Sequence, residues 1–271
     1  MLPYATVGEA EAALGRAMTW AEAAWFRYSV ATPDYYLYCH LMVIFLVVYT
    51  LAPLPLAVLQ LRAPAILLPY KLQPRVRLKP AAFLRCYVRT VRVFLLAMGP
   101  VQLLSYPAVK MVGIRTGLPL PSAGETAAQM AVYLLLEDYL GYWVHRLLHT
   151  KWGYDKIHHV HHEFTAPVGY VGLYAHWSDL ALIDAHDGFD FPLNPAKFIP
   201  FYGGAPHHDY HHRVGRKSQS NFASVFTFCD YIYGTDKGYM FHKASLAKLK
   251  EMAQNSTEKR ETMNFIGGKQ A

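Results

Sequence analysis

The sequence predicts an all-α protein: a membrane helical bundle that carries a histidine-rich helical cap on its cytoplasmic side. Composition is the first reason, because hydrophobic residues make up 53% of the 271 residues and charged residues only 17%. An average soluble protein has roughly 25% charged residues. The other reasons are three long apolar runs and the position of the histidines, 12 of which, out of 14, fall between His145 and His212.

The apolar runs cover residues 41–61, 93–112 and 127–144. Each approaches the roughly 20 residues that a helix needs to cross a bilayer. Pro53 and Pro55 are expected to kink the first run, and Glu137 and Asp138 lie in the third. Any one run alone would also suit a buried helix of a large soluble core. The three together favour membrane insertion.

A basic segment separates the first two runs. It contains Lys71, Arg75, Arg77, Lys79, Arg85, Arg89 and Arg92. Because basic loops stay in the cytoplasm, the second run is expected to leave it and the third to return. We therefore divide the chain into a membrane-anchoring region (1–125), a region with the third span and the histidines (126–240), and a lysine-rich tail (241–271) that forms a solvated or membrane-surface helix.

The net charge of +7 also points to a membrane surface as partner. The basic residues lack the aromatic interleaving of a nucleic-acid site, so no nucleic-acid partner is expected. The three cysteines are scattered and odd in number, which predicts no disulfide framework.

Three local patterns place the histidines at helical spacing. HRLLH puts His145 and His149 at i and i+4. The pattern H-x-x-H-H then occurs twice, with His158, His161 and His162, and with His208, His211 and His212. Positions i, i+3 and i+4 share one helix face. At this chain's histidine frequency the pattern should begin by chance only about 0.04 times.

Clustered imidazoles predict a metal site, since neutral histidine is the commonest nitrogen ligand of transition metals. Eight histidines exceed the ligands of one zinc ion, so two metals are expected. HExxH is absent, which argues against a zinc protease. Asp138, Asp155 and Asp209 are positioned to accept hydrogen bonds from ring N–H groups, or are ordinary solvated acids.

Four stretches of the sequence resemble those of a known family. The stretches EDYLGYWVHRLLHTKWGYDKIHHVHHEFTAPVGYVGLYAHW, HDGFDFP, KFIPFYGGAPHHDYHH and SQSNFASVFTFCDYIYGTDKGY are similar to those of plant-type sterol 4-alpha-methyl oxidases (methylsterol monooxygenases). These enzymes belong to the membrane-bound fatty acid hydroxylase and sterol desaturase superfamily. The resemblance is dense from Glu137 to Tyr239 and weaker through the N-terminal spans.

The resemblance implies a multi-pass enzyme of the endoplasmic reticulum membrane with a non-haem di-iron centre facing the cytoplasm. Such enzymes oxidise the sterol 4-methyl group with molecular oxygen and with electrons relayed from NAD(P)H through cytochrome b5, beside other sterol C-4 demethylation enzymes. The implied metal ligands are His145, His149, His158, His161, His162, His186, His208, His211 and His212. His176 is expected in an outer shell or the substrate channel.

Two departures from the family lie in this region. Asp187 follows His186 where the family usually has serine. Between His176 and His186 the family carries an apolar segment of a few tens of residues that enters the membrane and returns, whereas here the histidines are ten apart. The two stretches that match the family meet abruptly near residues 181–184. This seam predicts an internal deletion that weakens activity.

Two other functions remain open. One is an aldehyde deformylating oxygenase of wax synthesis, within the same superfamily. The other is an inactive, regulatory truncated isoform. Product analysis would separate the first from a sterol oxidase, and metal analysis would separate the second from either enzyme.

Overall fold

The computed structural model describes residues 2–113, 116–174, 186–215, 219–223 and 225–267. Within those residues no β-strand occurs, only isolated bridges between Lys71 and Phe189 and between Tyr202 and Phe226. The predicted all-α class is confirmed. The α-helices are α1 (Val7–Leu14), α2 (Trp20–Ser29), α3 (Asp34–Leu51), α4 (Leu54–Arg62), α5 (Pro64–Leu67), α6 (Pro80–Val93), α7 (Gly99–Leu104), α8 (Tyr106–Val112), α9 (Ala123–Leu148), α10 (Lys151–Lys156), α11 (Gly204–Val214), α12 (Phe228–Tyr233) and α13 (Lys237–Gly267).

Helices α3 and α4 form the first predicted span. The stretch Asp34–Arg62 is 29 residues long and, in the described part of the chain, is the one helical stretch with the length and composition to cross a membrane. It bends at Ala52 and Pro53, close to where the prolines predicted a kink. Val43, Ile44 and Val47 are exposed along α3. A row of bare apolar side chains of this kind suits a lipid environment.

The second predicted span is helical but broken. A π-helical turn, Phe94–Met98, joins α6 to α7, and its hydrogen bond runs from Gly99 N–H to Phe94 O. Pro100 explains the wide turn, because proline has no N–H and its ring clashes with the preceding turn of a regular helix. These short pieces do not meet the length criterion that α3 and α4 meet.

Helix α9 contains the third predicted span. Ser122 caps it by accepting a hydrogen bond from Glu125 N–H, and its 26 residues extend about 39 Å at 1.5 Å per residue. Its buried residues Asp138, Tyr142 and His145 share one face near the C-terminal end. The preceding turns expose Val132, Leu136 and other apolar side chains.

The three predicted spans alternate in direction. The C-terminal end of α3 meets the histidine region, where the Tyr170 hydroxyl donates to Thr50 O at 3.2 Å. Helix α6 reaches the same region, since Thr90 Oγ1 donates to Tyr170 O at 3.1 Å. At the other end, Lys110 after α7 pairs with Asp34 at 3.3 Å. The histidines on α9 lie near its C-terminus.

Candidate metal centre

Nine buried histidines form two adjacent groups. In each group one ring nitrogen per residue lies within 4.8 Å of the corresponding nitrogens of the others. All nine side chains are 9% exposed or less. The five-histidine group consists of His145, His149, His158, His162 and His211, and the four-histidine group of His161, His186, His208 and His212.

Four segments bring these rings together. Helix α9 and its C-cap residue, His149, supply two rings, a 3₁₀ helix, His158–Glu163, supplies three, and α11 supplies three more. His186 stands alone, just before Gly188, which has φ 77° and whose Cβ position would meet Pro167 O at 2.8 Å. Only glycine fits that turn, and the turn brings His186 to the four-histidine group.

The groups do not follow the sequence motifs. His161 and His162 are neighbours in one motif, yet they lie in different groups, and His211 and His212 are divided in the same way. Each H-x-x-H-H unit therefore contributes to both groups. The 3₁₀ geometry of His158–Glu163 contributes to this split, because its turn is tighter than that of an α-helix.

The ring nitrogens converge at distances that suit shared metal ions. Nε2 of His145 lies 3.1 Å from Nε2 of His158, and Nε2 of His162 lies 3.1 Å from Nε2 of His149. In the other group, Nε2 of His186 is 3.3 Å from that of His161 and 2.8 Å from that of His208. Two nitrogens about 2.0–2.1 Å from one metal, at angles of about 90–110°, would be about 2.8–3.4 Å apart.

Burial keeps six of these rings neutral. It lowers the pKa of His158, His161, His208, His211 and His212 well below the ordinary value, and the crowding of neighbouring imidazoles lowers it further. The pKa of His162 falls to about 3 for the same reasons. A neutral imidazole is the form that binds a metal.

The ring of His212 gives the clearest indication of a metal site. Both of its ring nitrogens are buried and lack a hydrogen-bond partner. Buried polar atoms are nearly always satisfied, so the donor set fits metal ions that the rings would ligate.

Two rings are oriented from outside by backbone carbonyls. Nδ1 of His145 lies 2.7 Å from Phe222 O, and Nδ1 of His211 lies 2.8 Å from Ser220 O. With Nδ1–H donating to a carbonyl, Nε2 keeps its lone pair for a metal. The segment 220–222 thereby fixes the tautomer of one histidine on α9 and one on α11.

Buried carboxylates hold that segment in place. Asp230 accepts hydrogen bonds from Phe222 N–H and Ala223 N–H, both at 2.9 Å, and from Thr235 Oγ1 at 2.7 Å. Asp138 accepts from Val225 N–H and Phe226 N–H, both at 2.9 Å. Both aspartates are fully buried. Asp230 was missed in the sequence, because its distance along the chain from any histidine motif gave no signal.

The residues predicted to lie behind the ligands have varied surroundings. Asp138 accepts from the backbone N–H groups of 225–226. Its support of the histidines is therefore less direct than the predicted hydrogen bond to a ring N–H group. Asp209 is buried and accepts from Gln73 Nε2 at 2.9 Å, and burial raises its pKa to about 6. Asp155 is exposed on α10. His176 and the seam at 181–184 lie outside the described residues.

Two histidines left out of the predicted ligand set also lie outside both groups. Nδ1 of His159 lies 3.2 Å from Tyr154 O, at the surface. Nε2 of His207 lies 3.5 Å from the carboxylate of Asp230, and burial lowers its pKa to about 4.

Comparison with known proteins identifies the family. A family model for fatty acid hydroxylases matches residues 130–186. The very-long-chain aldehyde decarbonylase GL1-10 of Oryza sativa subsp. japonica is 59% identical, with 96% of each chain covered. The chain belongs to the fatty acid hydroxylase superfamily. Methylsterol monooxygenases 1-1 and 1-2 of Arabidopsis thaliana are 49% and 47% identical over 95% of this chain and 97% of theirs.

The predicted family resemblance is thus confirmed, and the chain is an oxidoreductase of this superfamily. No solved structure matches it. The alignment with the rice protein has 289 positions but includes 96% of these 271 residues, about 260, so about 29 positions face gaps in this chain. That number agrees in size with the predicted deletion. Its location near residues 181–184 stays a prediction.

Proposed function

We propose that the chain is a non-haem di-iron monooxygenase that oxidises the 4-methyl group of sterols. One observation carries the proposal: nine buried imidazoles divide into adjacent groups of five and four, which suits two metal ions. The methylsterol monooxygenases among its relatives support the sterol as substrate. Iron, rather than zinc, is proposed because attack on an unactivated C–H bond needs a redox metal.

In this proposal the nine histidines hold two iron ions, which supply the activation of molecular oxygen. The protein keeps the rings neutral through burial and fixes the ring of His145 through Phe222 O and that of His211 through Ser220 O. Each hydroxylation of a C–H bond consumes one O₂, two electrons and two protons and releases one water. Neither the electrons nor the protons come from the sterol, so a separate donor is required.

We place the electron donor, a cytochrome b5-type protein reduced by NAD(P)H, on the outer side of α11. A groove of about 530 Å³ lies there, and its lining includes the cations Arg213, Lys243 and Lys250 and the carboxylates of Asp190 and Asp209. The three cations outnumber the carboxylates and favour an acidic partner. The groove lies on the helix that supplies His208, His211 and His212, which would keep the electron path short. Association with other sterol C-4 demethylation enzymes rests on the resemblance alone.

A multi-pass arrangement in the endoplasmic reticulum membrane, with the histidines facing the cytoplasm, fits the alternating directions of α3, α6–α8 and α9. The basic segment between the first two spans leads into α6 at the histidine end, and Arg89 there pairs with Glu163 at 2.6 Å. Basic residues at that end favour a cytoplasmic position.

Product analysis tests the proposal directly. Purified protein loaded with iron, with oxygen and a reductant, is given a 4-methylsterol or a very-long-chain aldehyde. We expect oxidation at the sterol methyl group and two irons per chain. Conversion of the aldehyde alone would contradict the sterol assignment while leaving the di-iron centre intact.

The second candidate, an aldehyde deformylating oxygenase, is favoured by the 59% identical relative, which is named an aldehyde decarbonylase. The third, an inactive truncated isoform, is favoured by the gaps of about 29 positions in this chain. Absence of bound iron would support the inactive form. Restored growth of cells that lack sterol 4-methyl oxidase would exclude it.

A further inference from the structure

A cavity of about 350 Å³ has Asp187, the residue after His186 of the four-histidine group, in its wall. We propose that this cavity binds a hydroxylated apolar lipid such as a sterol, and that Asp187 and Gln60 hold the hydroxyl group next to the carbon that is oxidised. This inference rests on the proposed function and deepens it, because it explains how the site would select a sterol over an aldehyde.

The cavity walls are apolar and fixed. They include Pro53 and Ala57 from the bend between α3 and α4, Phe83 from α6, and Val168 and Tyr170. The buried members Ala57, Phe83, Val168 and Tyr170 belong to one hydrophobic cluster. The volume is within the roughly 300–1,000 Å³ range of small-molecule pockets. An apolar ligand can therefore bury its surface against these walls.

The cavity begins at the bend of the proposed transmembrane segment. Leu54 and Val58, which lie on the same turns of α4 as the lining residue Ala57, are exposed. A ligand dissolved in the bilayer could thus enter sideways between α4 and α6. The direction of entry suits a lipid and not a water-soluble metabolite.

Polar groups occur at the opposite end. Gln60 and Asp187 line this cavity and also an adjoining narrow one. Asp187 is 7% exposed, and one of its oxygens accepts from Phe189 N–H at 2.8 Å. That bond fixes the carboxylate, which can accept further hydrogen bonds because each of its oxygens has two lone pairs.

This pair distinguishes a hydroxyl from an aldehyde. A carboxylate only accepts hydrogen bonds, and a glutamine amide can donate. A hydroxyl can donate to Asp187 while it accepts from Gln60. An aldehyde oxygen only accepts, so it would face the carboxylate without a proton between them, which is unfavourable in a buried site.

The position of the pair also suits the chemistry. Asp187 follows His186, whose Nε2 lies 2.8 Å from that of His208 in the four-histidine group. In a 4-methylsterol the hydroxyl is on carbon 3, next to carbon 4. Holding the hydroxyl at Asp187 would therefore bring the adjacent methyl group toward these histidines.

Equilibrium binding to the full-length, iron-loaded protein in lipid nanodiscs, without reductant, tests the inference. The probes are a 4-methylsterol and its 3-O-methyl ether, which keeps the oxygen but cannot donate. We expect the free alcohol to bind about tenfold more tightly, the value of one hydrogen bond to a charged acceptor. In D187N we expect this preference to fall below about threefold, since a neutral oxygen accepts more weakly.

A second variant keeps the test decisive, because Asp187 adjoins a proposed ligand. Gln60→Leu should weaken binding of the alcohol about tenfold while the iron content stays unchanged. The matched control is Gln102→Leu, in α7, where Gln102 donates to the Tyr38 hydroxyl and neither residue lines the cavity; it should leave sterol binding unchanged.

Equal binding of alcohol and ether by the wild-type protein would overturn the inference, as would unchanged binding by Gln60→Leu. Turnover measured separately distinguishes failure of the hydroxyl subsite from failure of the proposed function. Sterol oxidation without a hydroxyl preference would refute the subsite alone, whereas exclusive turnover of an aldehyde would refute the proposed function.

Discussion

Replacing Asp230 with asparagine tests how the protein orients the proposed ligand His145. Asp230 is fully buried, and its two oxygens accept from Phe222 N–H and Ala223 N–H, both at 2.9 Å. The same peptide segment presents Phe222 O to Nδ1 of His145 at 2.7 Å. Asparagine has nearly the same shape but only one accepting oxygen, so one backbone N–H loses its partner.

The expected loss follows from the hydrogen bonds. One orphaned buried N–H costs about 1–3 kcal/mol, so D230N should remain folded with lower stability. Alanine at this position would orphan both N–H groups, at about 2–6 kcal/mol, which is a large part of the roughly 5–15 kcal/mol stability of a domain. Asparagine is therefore the informative change.

Metal affinity is the decisive measurement. Loss of a group that orients a metal-binding histidine typically costs about 10–100-fold in metal affinity. We expect D230N to bind iron in that range more weakly, as measured by competition with a chelator, alongside thermal unfolding. The matched control is D190N, because Asp190 is an exposed carboxylate whose ion pair with Lys197 is solvated. Iron affinity in D230N equal to that of D190N would refute the positioning role.

Three further outcomes are expected. Chelating the metal should lower the thermal unfolding temperature, since a ligand at 1,000 times its dissociation constant stabilises the folded state by about 4 kcal/mol; an unchanged temperature would mean that the histidines bind no metal. Arg89→Ala should change stability by less than about 1 kcal/mol, because its pair with Glu163 is solvated; a larger loss would indicate a buried interaction. Leu136→Arg should reduce membrane insertion by about 2.5–3.5 kcal/mol in a glycosylation-mapping assay, whereas Leu249→Arg in the tail should not; equal effects would contradict a transmembrane α9.

Local spacing was sufficient to identify the histidines that the structure brings together. His145 and His149 share a face of α9 because residues four apart lie one turn apart in any α-helix. The same rule placed His208, His211 and His212 on one side of α11. The apolar composition likewise predicted long helices with exposed apolar side chains, because lipid can surround such a surface in a membrane.

The interruption of the second predicted span was harder to predict from the sequence. Its composition predicted one crossing, whereas the structure has three helical pieces around a π turn. Hydropathy counts side chains, but continuity of a helix depends on backbone donors, which Pro100 and Pro107 remove.

The division of the rings into two groups could not be read from spacing, because it depends on how distant segments pack. His161 and His162 are adjacent in sequence but lie in separate groups, and His186 joins its group from an isolated turn. The carbonyl that orients His145 is 77 positions away, and Asp138 holds a peptide 87 positions away. Periodicity describes neighbours on one helix, while these contacts require the folded arrangement of α9, α11 and the chain after them.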